Sequence, residues 1–448
     1  MSRAREGGII ARVRLPRALL VLAAATLVAA VAAPAAVAPT FTFPLRLGFQ
    51  AGDDWEPALA ADRFGHVYAL WNHYGFDPSC PTCPSPHMEL QVSADGGATW
   101  GSPRALAPDV TAEQHDPQIV VDPVDGRTIY TAFMIGSKSS MYVAKSTDFG
   151  ATWRRMLVEP LERGTDKDIL AVRGPHVYLA YNAVQKIYAS VSHDGGETWA
   201  FRRIVHNTNS DFGWSLPGGG AVDSDGNVYF AWAGYLQNGK PSGPVNLYVT
   251  KSSDGGETWT TSRVDQSGAP PPCGCGGWAY WGAQMTIAVD ARDRAYVLYN
   301  AGDAKFGKNR MWFRRSTDGG ATWSPRQDVS LAPMGANNLF PALVAGGAGD
   351  VRIAWQDDRN GFDAGGDDPD ARWNTYYRSS TDGGRTWSAE ATLSQFVPGF
   401  DYKFDDGYLE PYGDYFELDV DGAGGVHAFW GEAPGYDGPG NVWYARGR

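Results

Sequence analysis

The chain has 448 residues, 43% hydrophobic and 13% aromatic, with 55 glycines, 17 tryptophans and a formal net charge of −12. An acidic chain is a poor electrostatic match for nucleic acid or an anionic membrane surface. Rich in Gly, Trp and Tyr and almost free of helical periodicity, it suits one large all-β domain.

Residues 1–35 read as an export signal. Arg3, Arg5, Arg12, Arg14 and Arg17 form a basic region, and Ala18 to Ala33 is apolar apart from Thr26. Ala33-Pro34-Ala35 then offers a cleavage site. The apolar stretch is short for a membrane span, which leaves an uncleaved anchor as the lesser reading. Removing this segment takes away five Arg and one Glu, so the net charge goes from −12 to −16. The expectation is a secreted, extracellular domain over 36–448, monomeric and without membrane contact in its mature form.

A strand-like segment follows at Phe41–Phe49, and the first of several similar units begins at Trp55. Its long loop, Asn72–His87, carries Cys80-Pro-Thr-Cys83; the chain's other cysteines form Cys273-Gly-Cys275 within Gln266–Gln284. In an exported protein both pairs read as disulfides, bonded within or between the two clusters. Four thiolates converging on zinc are the alternative.

The phrase S-x-D-x-G-x-T-W occurs six times, from Ser93, Ser146, Ser192, Ser252, Ser316 and Ser380. Self-similarity at this spacing means one supersecondary unit used repeatedly. Asp and Ser side chains bond nearby backbone N–H groups, Gly permits positive φ, and Trp packs over the turn. The phrase therefore describes a hairpin corner, not a reaction. It resembles the Asp-box, or bacterial neuraminidase repeat, of sialidases and related β-propellers. That resemblance implies a structural role for Asp95, Asp148, Asp194, Asp254, Asp318 and Asp382.

Ahead of each box the same three strands recur, as in Pro117–Asp122, Thr128–Phe133 and Met141–Lys145; a fourth follows it at Arg154–Val158. Four-stranded units in a ring are the blades of a β-propeller. After the sixth box, Tyr415–Asp421, Val426–Trp430 and Asn441–Arg446 supply three strands of a further blade. Its missing strand is available in Phe41–Phe49. Seven blades closed by that N-terminal strand are predicted, with the six blades of sialidases as the alternative.

Blade order puts the boxes and the first-to-second strand turns on one side of the ring. The second-to-third loops and the connections between blades fall on the other, with all the long insertions. Residues beginning each innermost strand should line the channel mouth there. They are Trp55-Glu56-Pro57, His115-Asp116-Pro117, Asp166-Lys167-Asp168, Trp214-Ser215, Gly282-Ala283-Gln284, Phe340-Pro341 and Gly413-Asp414-Tyr415. Paired carboxylates suit glycoside hydrolysis, which makes Asp116, Asp168 and Asp414 acid/base candidates. Glu56, Trp214 and Trp281 are candidate sugar contacts. The bland alternative is solvated loop charge, with a structural Ca²⁺ among Asp357, Asp363 and Asp367.

The sialidase resemblance further implies an arginine triad for a substrate carboxylate and a tyrosine nucleophile activated by glutamate. Arg163, Arg310, Arg359 and Arg372 lie on the loop-rich face, and Glu410-Pro411-Tyr412 places acid and tyrosine together. The family's F/Y-R-I-P text is absent; Phe43-Pro44-Leu45-Arg46-Leu47 keeps only the arginine. Two classes of function follow: an exported glycan-processing enzyme, of which exo-α-sialidase is the best-defined version, and a noncatalytic propeller binding a polysaccharide or protein partner.

Overall fold

The structure, a computed structural model, describes residues 37–48, 51–136, 140–158, 165–183, 186–207, 214–237, 240–270, 282–359, 373–394, 416–433 and 440–448. The export segment at 1–35 lies outside them. Among the described residues the strands form seven four-stranded antiparallel sheets. Blade 1 runs Asp53–Ala61, Val67–Tyr74, His87–Ser93 and Arg104–Ala105 from the axis outward. Blades 2 to 6 repeat this order, with innermost strands Gln114–Val121, Thr165–Arg173, Trp214–Val222, Met285–Val289 and Asn338–Ala345. Successive innermost strands touch around the ring, and Phe416–Val420 of blade 7 returns to Asp53–Ala61. The fold is a seven-bladed β-propeller.

Blade 7 combines both ends of the described chain. Leu45–Arg46 pairs antiparallel with Trp443 and Tyr444 of Val442–Gly447, outside Val426–Gly431 and Phe416–Val420. Backbone bonds from Thr42 N to Arg446 O (2.9 Å) and Leu47 N to Val442 O (3.0 Å) extend the pairing. The N-terminal closure expected from the strand count is present.

Strands sandwiched between blades are buried on both faces, so they read as near-continuous apolar runs. Val67–Tyr74 is buried along nearly its whole length. The core accordingly lies between neighbouring blades: Leu47, Leu59 and Trp71 pack with Phe429, Val442 and Tyr444 across the seam from blade 7 to blade 1.

Each box has the same internal wiring. In the first, Ser93 Oγ donates to Asp95 Oδ1, and the Thr99 N–H and hydroxyl both donate to the Asp95 carboxylate. Gly97 sits at φ 77°, and any side chain there would collide with the Tyr444 hydroxyl of blade 7. The contact generalises. Tyr68 packs beneath Gly150 of the next blade's box, Tyr130 beneath Gly195, Tyr229 beneath Gly319 and Tyr296 beneath Gly383. Lys145 and Lys251 donate to the carbonyls of Gly195 and Gly319 (both 3.3 Å). The boxes therefore join blades as well as turning the chain.

Hydrogen bonds led by the Thr hydroxyl hold the Asp95, Asp148, Asp194, Asp254 and Asp318 carboxyls down at about 2. Burial works against the same effect at Asp382, whose carboxyl still stays at about 2. The unfolded chain protonates these groups near the ordinary value of about 4. Their contribution to stability is therefore complete above about pH 4 and is lost as pH falls towards 2. The expected result is a melting temperature that drops across this window, with a shallower drop when Asp148 and Asp254 are both replaced by Asn. An unchanged acid slope in that double variant would contradict the assignment.

Candidate functional site

The start of an innermost strand is irregular in a repeated way. Pairing register slips between Trp55 and Ala58, His115 and Gln118, Asp166 and Asp168, and Leu339 and Ala342. At each slip a residue with a side chain takes the left-handed conformation: Glu56 (φ 54°), Asp116 (55°), Lys167 (49°) and Phe340 (53°). Such backbone costs on the order of 1–3 kcal/mol and persists only where its surroundings enforce it. Pro57, Pro117 and Pro341 follow the bulged residue, and proline has no N–H to be orphaned there. In blade 3 Asp168 takes the proline position, so Lys167, not Asp168, is the structural counterpart of Glu56 and Asp116.

Second-strand amides brace these bulges. Glu56 Oε2 accepts the Asp116 N–H (3.0 Å) and an Asn72 amide proton, tying blade 1 to blade 2. Asn182 accepts from Asp166 N (3.1 Å) and donates to Ser215 O (2.6 Å), tying blade 3 to blade 4. Asn300 grips Gln284 N (2.8 Å) and Gly282 O (2.9 Å). Glu56, Asp116 and Asp168 are all buried. Glu56 thus has a bracing role in the ring.

The channel inside the innermost strands has two parts. A neck on the loop-rich side is lined by Gln118, Lys167, Gln284, Phe340, Phe416 and Glu417, among others. Beyond it a funnel of about 820 Å³ opens towards the box side, walled by all seven blades. Burial, with Asp419 nearby, pushes the Glu417 carboxyl up to about 8, against the opposing pull of Lys167. Burial likewise raises Asp419 to about 6, although Ala61 N donates to it (2.7 Å). Both carboxyls keep part of their surface, in the channel they line. Glu417 holds its proton more tightly than an ordinary glutamate. It was missed in the sequence because it follows the strand start by only one residue and sits in no recognisable motif.

A second repeat also escaped notice. Asp62 accepts from the Tyr68 hydroxyl, Asp223 from Tyr229 and Asp290 from Tyr296, each at 2.8 Å; Asp421 meets His427 at 3.2 Å. The spacing is constant, Asp-x₅-Tyr/His, and reading the first turns in register would have revealed it. These aspartates line the funnel, yet their oxygens are spent on capping turns and holding the tyrosines that support the next box.

Arg359, expected to meet an anionic sugar group, holds Asp357 and Glu390 instead. Its Nε donates to Asp357 Oδ1 (2.8 Å), its Nη2 to Asp357 Oδ2 (2.6 Å) and Glu390 Oε2 (3.1 Å), and its Nη1 to Glu390 Oε1. The guanidinium also stacks 3.7 Å from the centre of the Tyr376 ring. Asp357 receives Trp355 Nε1 as well (2.9 Å), so it is engaged within blade 6. Arg310 is likewise paired, with Asp328 (2.8 Å). Trp214 begins blade 4 by pairing with Tyr235. Cys80 and Cys83 are bonded to each other, which settles that cluster as an internal disulfide and removes its thiolates from any zinc site. Arg163, Cys273, Cys275, Trp281, Asp363, Asp367, Arg372, Glu410, Tyr412 and Asp414 lie outside the described residues.

The family described as "BNR repeat-like domain" matches residues 53–264. Over that part of its length this β-propeller resembles the family, whose repeat corresponds to its Asp-box turns. Over 261 residues, 52% of its length, the propeller is 27% identical to a xyloglucanase from a Paenibacillus species. It spans only 23% of that relative. Among solved structures, it resembles an ulvan lyase described as a new family of polysaccharide lyase, with a TM-score of 0.53 and 11% identity over 89% of this chain and 95% of that one. A protein of unknown function from Dyadobacter fermentans matches with a TM-score of 0.50 and 14% identity over 91% and 98% of the two chains. Both structural likenesses are of fold.

Proposed function

We propose that this propeller is an extracellular carbohydrate-active protein that engages a glycan at the channel mouth on the loop-rich face and cleaves it as a glycoside hydrolase. The observation that carries this reading is the neck, a constriction lined by Glu417 of blade 7 and Lys167 of blade 3 together with amide and aromatic side chains. Glu417, which holds its proton more tightly than an ordinary glutamate, suits the role of general acid. Asp116 and Asp168, buried close in chain to the neck residues Gln118 and Lys167, are the proposed carboxylate partners, with Lys167 as the cation for an anionic sugar group. Xyloglucanase relatives support a polysaccharide substrate. Exo-α-sialidase activity is the narrower form of the same proposal.

The test is turnover of fluorogenic glycosides, including a sialoside, and of xyloglucan by the purified domain. Glu417→Gln, Asp116→Asn and Asp168→Asn are assayed alongside. Loss of a general acid should lower turnover by roughly 10²–10⁴-fold with little change in melting temperature. Wild-type activity should fall as pH rises through about 8, where Glu417 gives up its proton. Wild-type turnover matched by all three variants would defeat the residue assignment.

The noncatalytic alternative draws on the narrowness of the neck, about 60 Å³ against the roughly 300–1,000 Å³ of an ordinary ligand pocket. A sugar ring must stay above it. Retention on a glycan array without turnover would favour that reading, and a blank in both assays would overturn glycan engagement altogether.

A further inference from the structure

Blade 1 carries a buried constellation that neither the glycan reading nor the box scaffold uses. His87 and Glu89 alternate on its third strand and so face the same way, towards the seam with blade 7. Asp77 comes down on them from the loop closed by Cys80–Cys83. Donor atoms of these three side chains lie within 4.8 Å of one another, and all three residues are at most 2% exposed. His87 Nε2 is 2.8 Å from Glu89 Oε1 and 3.6 Å from Asp77 Oδ2.

The histidine's other nitrogen decides what this means. His87 Nδ1 lies 2.9 Å from the Pro84 carbonyl, an acceptor only, so Nδ1 bears the proton. In the neutral ring Nε2 then presents a lone pair to carboxylate oxygens, which are also acceptors. Something positive must stand between them. The neighbouring His73 ring, centred 5.4 Å from that of His87, turns its Nδ1 to Asp54 (2.8 Å), which also accepts from Trp71 Nε1 (2.9 Å). Glu89 Oε2 moreover is fully enclosed and has no hydrogen-bond partner among the described residues. A divalent ion satisfies both conditions, since two carboxylates and a neutral imidazole balance its charge.

We propose that Asp77, His87 and Glu89 form a binding site for a zinc-class divalent cation. One nitrogen and two oxygens suit zinc, whereas Ca²⁺ takes six to eight oxygens and finds too few here. The wiring around the trio matches the second shell that orients metal ligands. The Pro84 carbonyl fixes His87, and Ser79 donates to both Asp77 oxygens, at 2.6 Å from its N–H and 2.9 Å from its hydroxyl. Metal there would clamp loop 75–86 to the third strand on the loop-rich face.

The experiment uses untagged full chain stripped with chelator, then zinc chloride alone, with calcium chloride as the comparison. One equivalent of zinc should survive desalting, measured by elemental mass spectrometry, and the melting temperature should rise with zinc but not calcium. Cobalt(II) should produce visible d–d absorption. Asp77→Asn and Glu89→Gln should each weaken zinc at least tenfold and abolish the cobalt spectrum. Asp77→Asn, in a loop, keeps the test open if Glu89→Gln fails to fold. Wild type that takes up no zinc, or zinc retained equally by a folded Asp77→Asn variant, overturns the site. Neither result touches the glycan proposal, which rests on other blades.

Discussion

Deleting residues 37–48 will unfold this protein or lower its melting temperature by more than about 10 °C. The segment supplies the outer strand of blade 7 and its bonds to Val442 and Arg446. It also buries Leu47 against Trp71 and Phe429, and sets Phe41 edge-on to Tyr377 with ring centres 4.8 Å apart. Burial of two large apolar side chains and loss of several backbone bonds sum to on the order of 5–10 kcal/mol. That is comparable to the whole stability of a typical domain. The deletion also bares a strand edge, which invites aggregation. Far-UV circular dichroism melts decide the matter: a truncated protein melting within about 3 °C of wild type would show that the ring does not depend on this strand.

Asp290→Ala is expected to cost about 3–5 kcal/mol, the range for removing one member of a buried charged network. Asp290 is almost wholly enclosed and accepts from Arg292 N (2.9 Å), Arg294 N (3.2 Å), Arg294 Nε (2.9 Å), the Tyr296 hydroxyl (2.8 Å) and Gly349 N of blade 6 (2.8 Å). Burial alone would raise its carboxyl; the bonds from Arg294 and Tyr296 outweigh that and hold it below the usual carboxylate range. Alanine strands all these donors at once. Asp318, in an exposed box, bonds only to its own turn, so Asp318→Ala should do far less harm. Denaturant titration of both variants makes the comparison, and equal midpoints would refute it.

The architecture was legible because repetition amplifies weak signals. One box is a turn; six boxes with three strands ahead of each are blades, and three strands left over at Tyr415–Arg446 identify the missing partner. The candidate site was less legible for a backbone reason. In sequence register the strand starts present Glu56, Asp116, Asp168 and Asp414 as equivalent carboxylates. The bulge shifts blade 3 by one residue and puts Lys167 in that place, and left-handed backbone at a lysine leaves no trace in sequence. Of the two carboxylates that hold Arg359, Asp357 lies two residues away and was readable in sequence, whereas Glu390 lies 31 residues away, beyond any local pattern. The Asp-x₅-Tyr repeat was readable in principle, but turn aspartates and strand tyrosines are each too common to draw notice alone.

Strand closure also bears on how the molecule is made. Leu45 pairs with Tyr444, so the contact that seals the ring joins residues separated by almost the whole domain. Within a blade the strands are neighbours in sequence and can zip as they appear, at low contact order. The seal is of the opposite kind: its first half emerges early and waits, unpaired, until the last strand is available. Blades 1 to 6 can therefore assemble while the chain is still growing, whereas the seventh must wait until Val442–Gly447 has been made. During that interval the exposed edges of blades 1 and 7 are the surfaces that a chaperone, or a second nascent copy, would meet first.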